Sequence, residues 1–172
     1  MKFKNKVVLV TGGTSGIGKA TAKAFAKEGA AVVIAGRREK EGESVVADIL
    51  EEGGKASFIK TDIAKSNELE ALMEQLIDQY GQLDCAFNNA GTTEMPASVA
   101  DLAEEEWDRV LNTNLKGVWL SMKYQIPALL KSGGGAIVNM SSIYGLKATS
   151  VPLPAYLASK HGVIGLTKAA AL

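Results

Sequence analysis

Two residue types are almost missing, and each shortage removes a chemistry. Cys85 is the sole cysteine and His161 the sole histidine. One thiol cannot close an intrachain disulfide, and one thiol with one imidazole cannot furnish a usual zinc site. A Ser-His-Asp hydrolase would need that histidine beside a nucleophile, and no G-x-S-x-G elbow is present. An excess of either charge is missing too. The 19 Lys and Arg balance the 19 Asp and Glu, so no bulk field favours nucleic acid or an anionic membrane. No apolar run approaches the roughly 20 residues of a membrane span, and the one in MKFKNKVVLVTGG is too short for a signal peptide. The expectation is a cytoplasmic protein without a metal, acting on a small molecule.

What is present is an alternating α/β pattern. Apolar residues make up 47% of the 172 positions and charged ones 22%, the balance of a soluble globular chain, read as one domain over 1–172. Short β-branched runs at 6–11, 31–36, 56–62, 83–90 and 135–142 suit strands buried on both faces of a parallel sheet. Helix-length segments separate them. In 66–80, Leu69, Leu72, Met73, Leu76, Ile77 and Tyr80 repeat at three and four residues, with Ser66 as the expected N-cap. Another helix is expected over 39–52 and a last one from about 155. The order predicts a doubly wound, Rossmann-like, mostly parallel sheet with helices on both faces. The longest irregular stretches, 91–103 and 143–155, follow strands four and five, where such sheets bind ligands.

The stretch TGGTSGIG at 11–18 follows the first apolar run and opens a helix. A strand, a glycine-rich turn and a helix start point free N–H groups at an anion. Gly13 to Lys19 also fits G-x-x-x-x-G-K, but a triphosphate loop needs Ser or Thr next, and Ala20 stands there. A dinucleotide site needs a discriminator after the second strand. At AGRRE an acid for a ribose hydroxyl is replaced by Gly36, and Arg37 and Arg38 follow. Two guanidiniums suit a 2′-phosphate, so NADP(H) is expected over NAD(H), with Arg37 as the residue expected to choose it. A solvated start to the next helix is the alternative reading of both arginines.

Near the end stand NMSSIYG and PAYLASKHG. Tyr156 and Lys160 share a helix face at four residues' spacing. A free phenol titrates near ~10, and an adjacent ammonium favours the phenolate. Such a tyrosine can serve as acid or base at a carbonyl or alcohol oxygen. Ser141 and Ser142 stand at the end of the strand before that helix, and a serine hydroxyl there can hold that oxygen by a hydrogen bond.

TGGTSGIG, NNAG at 88–91, the asparagine of LNTNLKG and the Ser, Tyr, Lys set together resemble the short-chain dehydrogenase/reductase family in its single-domain form, over the whole chain. The resemblance implies hydride transfer between NADP(H) and a secondary alcohol or ketone, with Asn114, Ser142, Tyr156 and Lys160 catalytic. It implies that Gly12, Thr14, Ser15, Gly16, Ile17 and Gly18 seat the pyrophosphate. Asp62 and Ile63 would lie against the adenine, and Asn89, Ala90 and Gly91 near the ribose. Lys160 would also hold the nicotinamide ribose, and Asn114 a water linking that lysine to solvent. Asn88 is expected to hold adjacent strands together.

The resemblance further implies pairing of subunits, as a dimer or tetramer, through the long fourth helix and the helix carrying Tyr156. On the long fourth helix Trp107 and Trp119 are expected to pack or to make subunit contacts, and Pro127 to bend or end it. Family members continue with a sixth strand, a substrate-covering segment, another helix and a seventh strand, so the chain is expected to be incomplete at its C-terminal end. An inactive nucleotide-binding or structural fragment is the alternative to an active oxidoreductase. Cys85 is expected as a small apolar core residue and His161 as a bystander.

Overall fold

Apolar β-branched runs too short for helices pair into the sheet. In the computed structural model, which describes residues 1–172, β1 (Val7–Thr11), β2 (Ala31–Gly36), β3 (Lys55–Lys60), β4 (Cys85–Asn88) and β5 (Ala136–Asn139) form one parallel sheet ordered β3-β2-β1-β4-β5. The register sets Val8 against Val32 and Cys85, and Phe87 against Val138. At their carboxyl ends the last two strands stop short of the apolar runs. Residues 89–91 and 140–142 leave the ladder there and become loop.

Alternate side chains of each strand enter different cores, as a period of two requires. Leu9, Val33 and Ala35 meet Leu69, Leu72 and Leu76 of α3 (Ser66–Tyr80) and Leu120 and Leu129 of α5 (Gly117–Lys131). Val8, Val10, Val32 and Ile34 meet Ala22 and Ala26 of α1 (Gly16–Lys27) and Val45 and Ile49 of α2 (Glu39–Glu51). Both faces are thus covered, as the doubly wound reading requires. On the second face Val138 of the edge strand β5 remains exposed.

The helices correct three expectations. Ser66 is not a cap but the first residue of α3; its hydroxyl lies 2.8 Å from the Tyr124 hydroxyl, and Glu68 reaches back to accept from the Asp62 N–H. The long fourth helix is not continuous. It runs as α4 (Glu104–Leu111), a π turn over Asn112–Lys116, and α5. Pro127 does not end α5, which continues to Lys131. Ala128 and Leu129, just past it, are buried in the core, and that burial offsets the lost backbone hydrogen bond. Trp107 and Trp119 are both largely exposed. Cys85 is only half-buried, and burial pushes its thiol up from the ordinary value.

β1 has β2 on one side and β4 on the other, so the winding reverses between β1 and β4 and opens a crevice at their carboxyl ends. At the opposite end of the sheet Asp84 fastens β4 to β1. Its carboxylate accepts from Lys6 Nζ (2.8 Å), the Val7 N–H (2.8 Å) and Gln82 Nε2 (2.7 Å). Burial alone would push this carboxyl up, but those hydrogen bonds outweigh it and hold it below the usual carboxylate range. Stability from this group is present above the unfolded value near ~3.9 and is lost as pH falls through the lower folded value. Asp84→Asn is expected to cost about 1–3 kcal/mol in urea unfolding at pH 7, with the deficit shrinking below about pH 4.

Candidate functional site

The crevice is a cleft of about 420 Å³ lined by Gly12, Thr14, Ser15, Gly36, Arg37, Arg38, Thr61, Asp62, Ile63, Asn89, Ala90, Gly91 and Thr113. It sits where the five-strand order places a ligand, and three segments far apart in sequence meet there: the glycine-rich turn, the end of β2 and the NNAG loop. Gly12 has φ of 65°, and a Cβ on it would lie 2.7 Å from Ala90 Cα. A glycine is therefore needed twice over, for the left-handed backbone and for the approach of β4's loop. Asn89 closes that seam by donating Nδ2 to the carbonyls of Thr11 and Gly12, both at 3.2 Å.

Gly16, Ile17 and Gly18 do not line the cleft. They form the first turn of α1, where Ser15 is the N-cap and makes no side-chain cap hydrogen bond. Their N–H groups have no partner within the helix, which leaves anion donors at the mouth of the turn. Of the two expected arginines, Arg38 meets the turn. It donates Nη2 to Thr14 Oγ1 (2.9 Å) and Ser15 Oγ (2.6 Å), whereas Arg37 lines the cleft from an exposed position. A guanidinium, two hydroxyls and free helix-start N–H groups converge on one end of the cleft, and glycines leave the backbone bare. These groups fit the phosphates of a dinucleotide.

Asp62 and Ile63 line the cleft, Asp62 Oδ1 accepting from the Ala64 N–H. Thr61, buried, and Thr113, on the π turn, line it as well. Nothing in the sequence singled these two out.

Asn114, Ser142, Tyr156 and Lys160 lie beyond the cleft's lining, joined to it through Gly91. A Cβ on Gly91 would come within 3.3 Å of Asn114 Oδ1 and 3.6 Å of Lys160 Nζ. Lys160 is 4% exposed. Its Nζ donates to the Met140 carbonyl at 2.8 Å and stands 5.6 Å from the Tyr156 ring centre. No carboxylate pairs with it, and burial pulls its ammonium below the ordinary lysine value. A buried cation without a counter-charge is costly and marks a functional site more often than a structural one.

Asn114 is fully buried in the π turn, a distortion that often accompanies function. Its Oδ1 accepts from the Thr92 N–H (2.8 Å), and its Nδ2 donates to the Thr92 carbonyl (2.8 Å) and Ser159 Oγ (3.1 Å). It makes no hydrogen bond to Lys160. Ser159 in turn donates to the Tyr156 carbonyl at 2.7 Å.

The two serines separate cleanly. Ser141 donates to the Lys160 carbonyl at 2.8 Å, while Ser142 Oγ only accepts from the Tyr144 N–H at 3.2 Å, opening a 3-10 turn, Ile143–Gly145. Gly145 seats that turn on α6 (Pro154–Ala170), since a Cβ there would meet the Lys160 carbonyl oxygen at 2.7 Å.

Asn88 makes a reciprocal amide pair with Gln125 and also donates to Asn139 Oδ1 at 2.9 Å. It holds β4 to β5 and to α5 through side chains. His161 is exposed, and its Nδ1 lies 2.9 Å from the Leu157 carbonyl.

A family model described as short chain dehydrogenase matches residues 6–172. A cyclohexanol dehydrogenase of Acinetobacter sp. (strain SE19) is 46% identical over 171 residues, covering 99% of this chain and 68% of that one. A metagenomic short-chain oxidoreductase solved in complex with NADP superposes with a TM-score of 0.94 at 31% identity, covering 99% of this chain and 76% of the other. An NAD+-bound xylitol dehydrogenase superposes with a TM-score of 0.95 at 32% identity, covering 99% and 65%. The chain spans about two thirds of the length of the curated relatives it matches.

The buried ammonium carries a pH signature. Its folded value is lowered, so the unfolded state holds the extra proton between that value and the ordinary ~10.4. The stability of the protein relative to Lys160→Met is therefore expected to rise from neutral pH towards about 10.4 and then level off. Urea unfolding of both proteins across that range checks this; a flat difference would contradict it.

Proposed function

The chain belongs to the short-chain dehydrogenase family, and on that premise we propose that it serves hydride transfer between NADP(H) and a secondary alcohol or its ketone. The single observation that carries this reading is Lys160, a buried and unpaired ammonium beside Tyr156, just beyond the lining of the cleft and next to its Gly91. No helix is long and apolar enough to cross a membrane.

The dinucleotide, when bound, supplies or accepts the hydride. The turn N–H groups of Gly16, Ile17 and Gly18, with Ser15, would hold its pyrophosphate, and Arg38 with Thr14 and Ser15 an added 2′-phosphate. Ile63 and Asp62 would flank the adenine.

The remaining steps belong to the chain. Tyr156 gives its phenolic proton to a carbonyl oxygen in reduction, or takes one from an alcohol in oxidation. Lys160 lowers the cost of the phenolate by its charge, and its lowered affinity for its own proton suits it to pass one on. Ser142, whose hydroxyl proton is not spent within the protein, donates to the substrate oxygen. Asn114 braces Thr92 and Ser159, which leaves any water link to Lys160 to the backbone of the π turn.

A cyclic secondary alcohol with an apolar body is the substrate class favoured, because one relative carries the name cyclohexanol dehydrogenase and because Leu146 and Val151 expose apolar surface on the loop before α6. The two solved neighbours are named with different dinucleotides, so the NADP(H) preference rests on Arg38 itself.

Oxidation of NADPH and NADH by the chain with cyclohexanone, compared with Arg38→Asp, tests the reading. The chain is expected to prefer NADPH. The variant is expected to lose about tenfold to a hundredfold of that preference, the worth of one or two charge-assisted hydrogen bonds. An unchanged ratio would sink the role of Arg38, and no turnover of either dinucleotide with a panel of ketones would sink the function.

A further inference from the structure

We infer that Glu94 is a positioning residue for Tyr156, an inference that rests on the function proposed above. Glu94 is 2% exposed, although it lies in an irregular segment, and it forms no ion pair. Its carboxylate meets the first turn of α6, sixty-odd residues away. Oε1 accepts from the Ala155 N–H (2.9 Å) and the Tyr156 N–H (3.1 Å), and Oε2 lies 3.2 Å from the latter.

The accounting of that helix start explains why an outside carboxylate is needed. A helix leaves its first N–H groups without partners. The N-cap is Leu153, which has no side-chain acceptor, and Pro154 has no N–H. The first intrahelical bond is from the Leu157 N–H to the Leu153 carbonyl. Between these, only the Ala155 and Tyr156 N–H groups remain, and Glu94 takes both. Its negative charge also stands at the positive end of the helix.

Glu94 is itself held from behind. Arg109 of α4 donates Nη1 to Thr92 Oγ1 (2.7 Å) and Nη2 to the Thr93 carbonyl (2.9 Å), and Glu106 grips the same guanidinium at 2.8 Å. Asn114 clasps the backbone of Thr92. The Ala97 N–H donates to the Pro152 carbonyl at 3.0 Å, a second tie between the segment after β4 and the loop before α6. Glu94 thus sets the backbone of the residue whose phenol moves the proton, relative to the loop that carries Gly91 at the cleft. It does not line the cleft.

Two variants separate reach from charge. Glu94→Asp keeps the charge and shortens the arm; Glu94→Gln keeps the arm and one acceptor oxygen. Ketone reduction by saturating NADPH, NADPH affinity by fluorescence titration, and amide hydrogen exchange of the whole chain are compared. Glu94→Asp is expected to lose about tenfold to a hundredfold in kcat, as for a small misplacement of a reacting group, with NADPH affinity unchanged. It is also expected to lose exchange protection at 92–97 and 154–160 together. Glu94→Gln is expected to stay within about tenfold of the parent kcat and to keep both segments protected. An undiminished kcat in Glu94→Asp, an equal loss of NADPH affinity, or protection lost evenly over the chain would overturn the inference. If Glu94→Asp does not fold, loss of kcat or of paired protection in Glu94→Gln would overturn it as well. If the parent chain reduces no ketone, the function fails separately, and the exchange pattern alone decides the role of Glu94.

Discussion

The ammonium of Lys160 is buried with one carbonyl for company and no acid, and much of the ligand end of the molecule is arranged around that fact. Desolvating a lysine costs free energy that packing has to offset. The surrounding structure is correspondingly rigid. Ser141 and Gly145 fix the turn after β5 against the Lys160 carbonyl, and Ser159, one residue before, is locked to Asn114 and to the Tyr156 carbonyl. A cation held this way cannot relax into solvent without breaking the contacts that shape the site.

Polar side chains at the carboxyl end of the sheet are largely spent on one another. Asn88 pairs with Gln125, Asn89 with the glycine-rich turn, Asn114 with Thr92, and Glu94 with α6. No buried side-chain nitrogen or oxygen lacks a hydrogen-bond partner. Three irregular segments are thereby welded into one frame before any ligand arrives, which is the preorganisation that electrostatic catalysis requires. The groups left with donors to offer are few: the start of α1, Arg38, Ser142 and the Tyr156 hydroxyl. On the proposed function they would face a dinucleotide and a substrate oxygen.

The sheet was legible because β-branched runs separated by helix periods admit few arrangements, and the order β3-β2-β1-β4-β5 puts the cleft at the carboxyl ends of the strands, where a ligand was expected. Gly12 was readable from the glycine-rich turn itself, and Asp62 and Asn89 from the family resemblance. Glu94 and Gln125 were not. Glu94 caps a helix sixty positions on, and Gln125 pairs with an asparagine across a sheet–helix interface, so neither has a local signal. Ser66 misled for the opposite reason: local propensity pointed to a cap, and tertiary packing drew it into the helix; Pro127, expected to bend or end its helix, does not end it. The π turn at Asn112–Lys116 was likewise invisible, because a register change inside a helix leaves the apolar period almost intact.

On the proposed function Tyr156 moves the proton while a hydride moves to carbon. The most direct measurement is deuterium transfer from NADPH labelled at the nicotinamide C4 to the carbonyl carbon of cyclohexanone by the chain and by Tyr156→Phe, read by mass spectrometry of the alcohol. The predicted result is labelled cyclohexanol from the parent and a rate about 10²–10⁴-fold lower from the variant, with NADPH binding retained by both. Label appearing at equal rates from the two proteins, or NADPH bound by the parent with no label transferred, would contradict it.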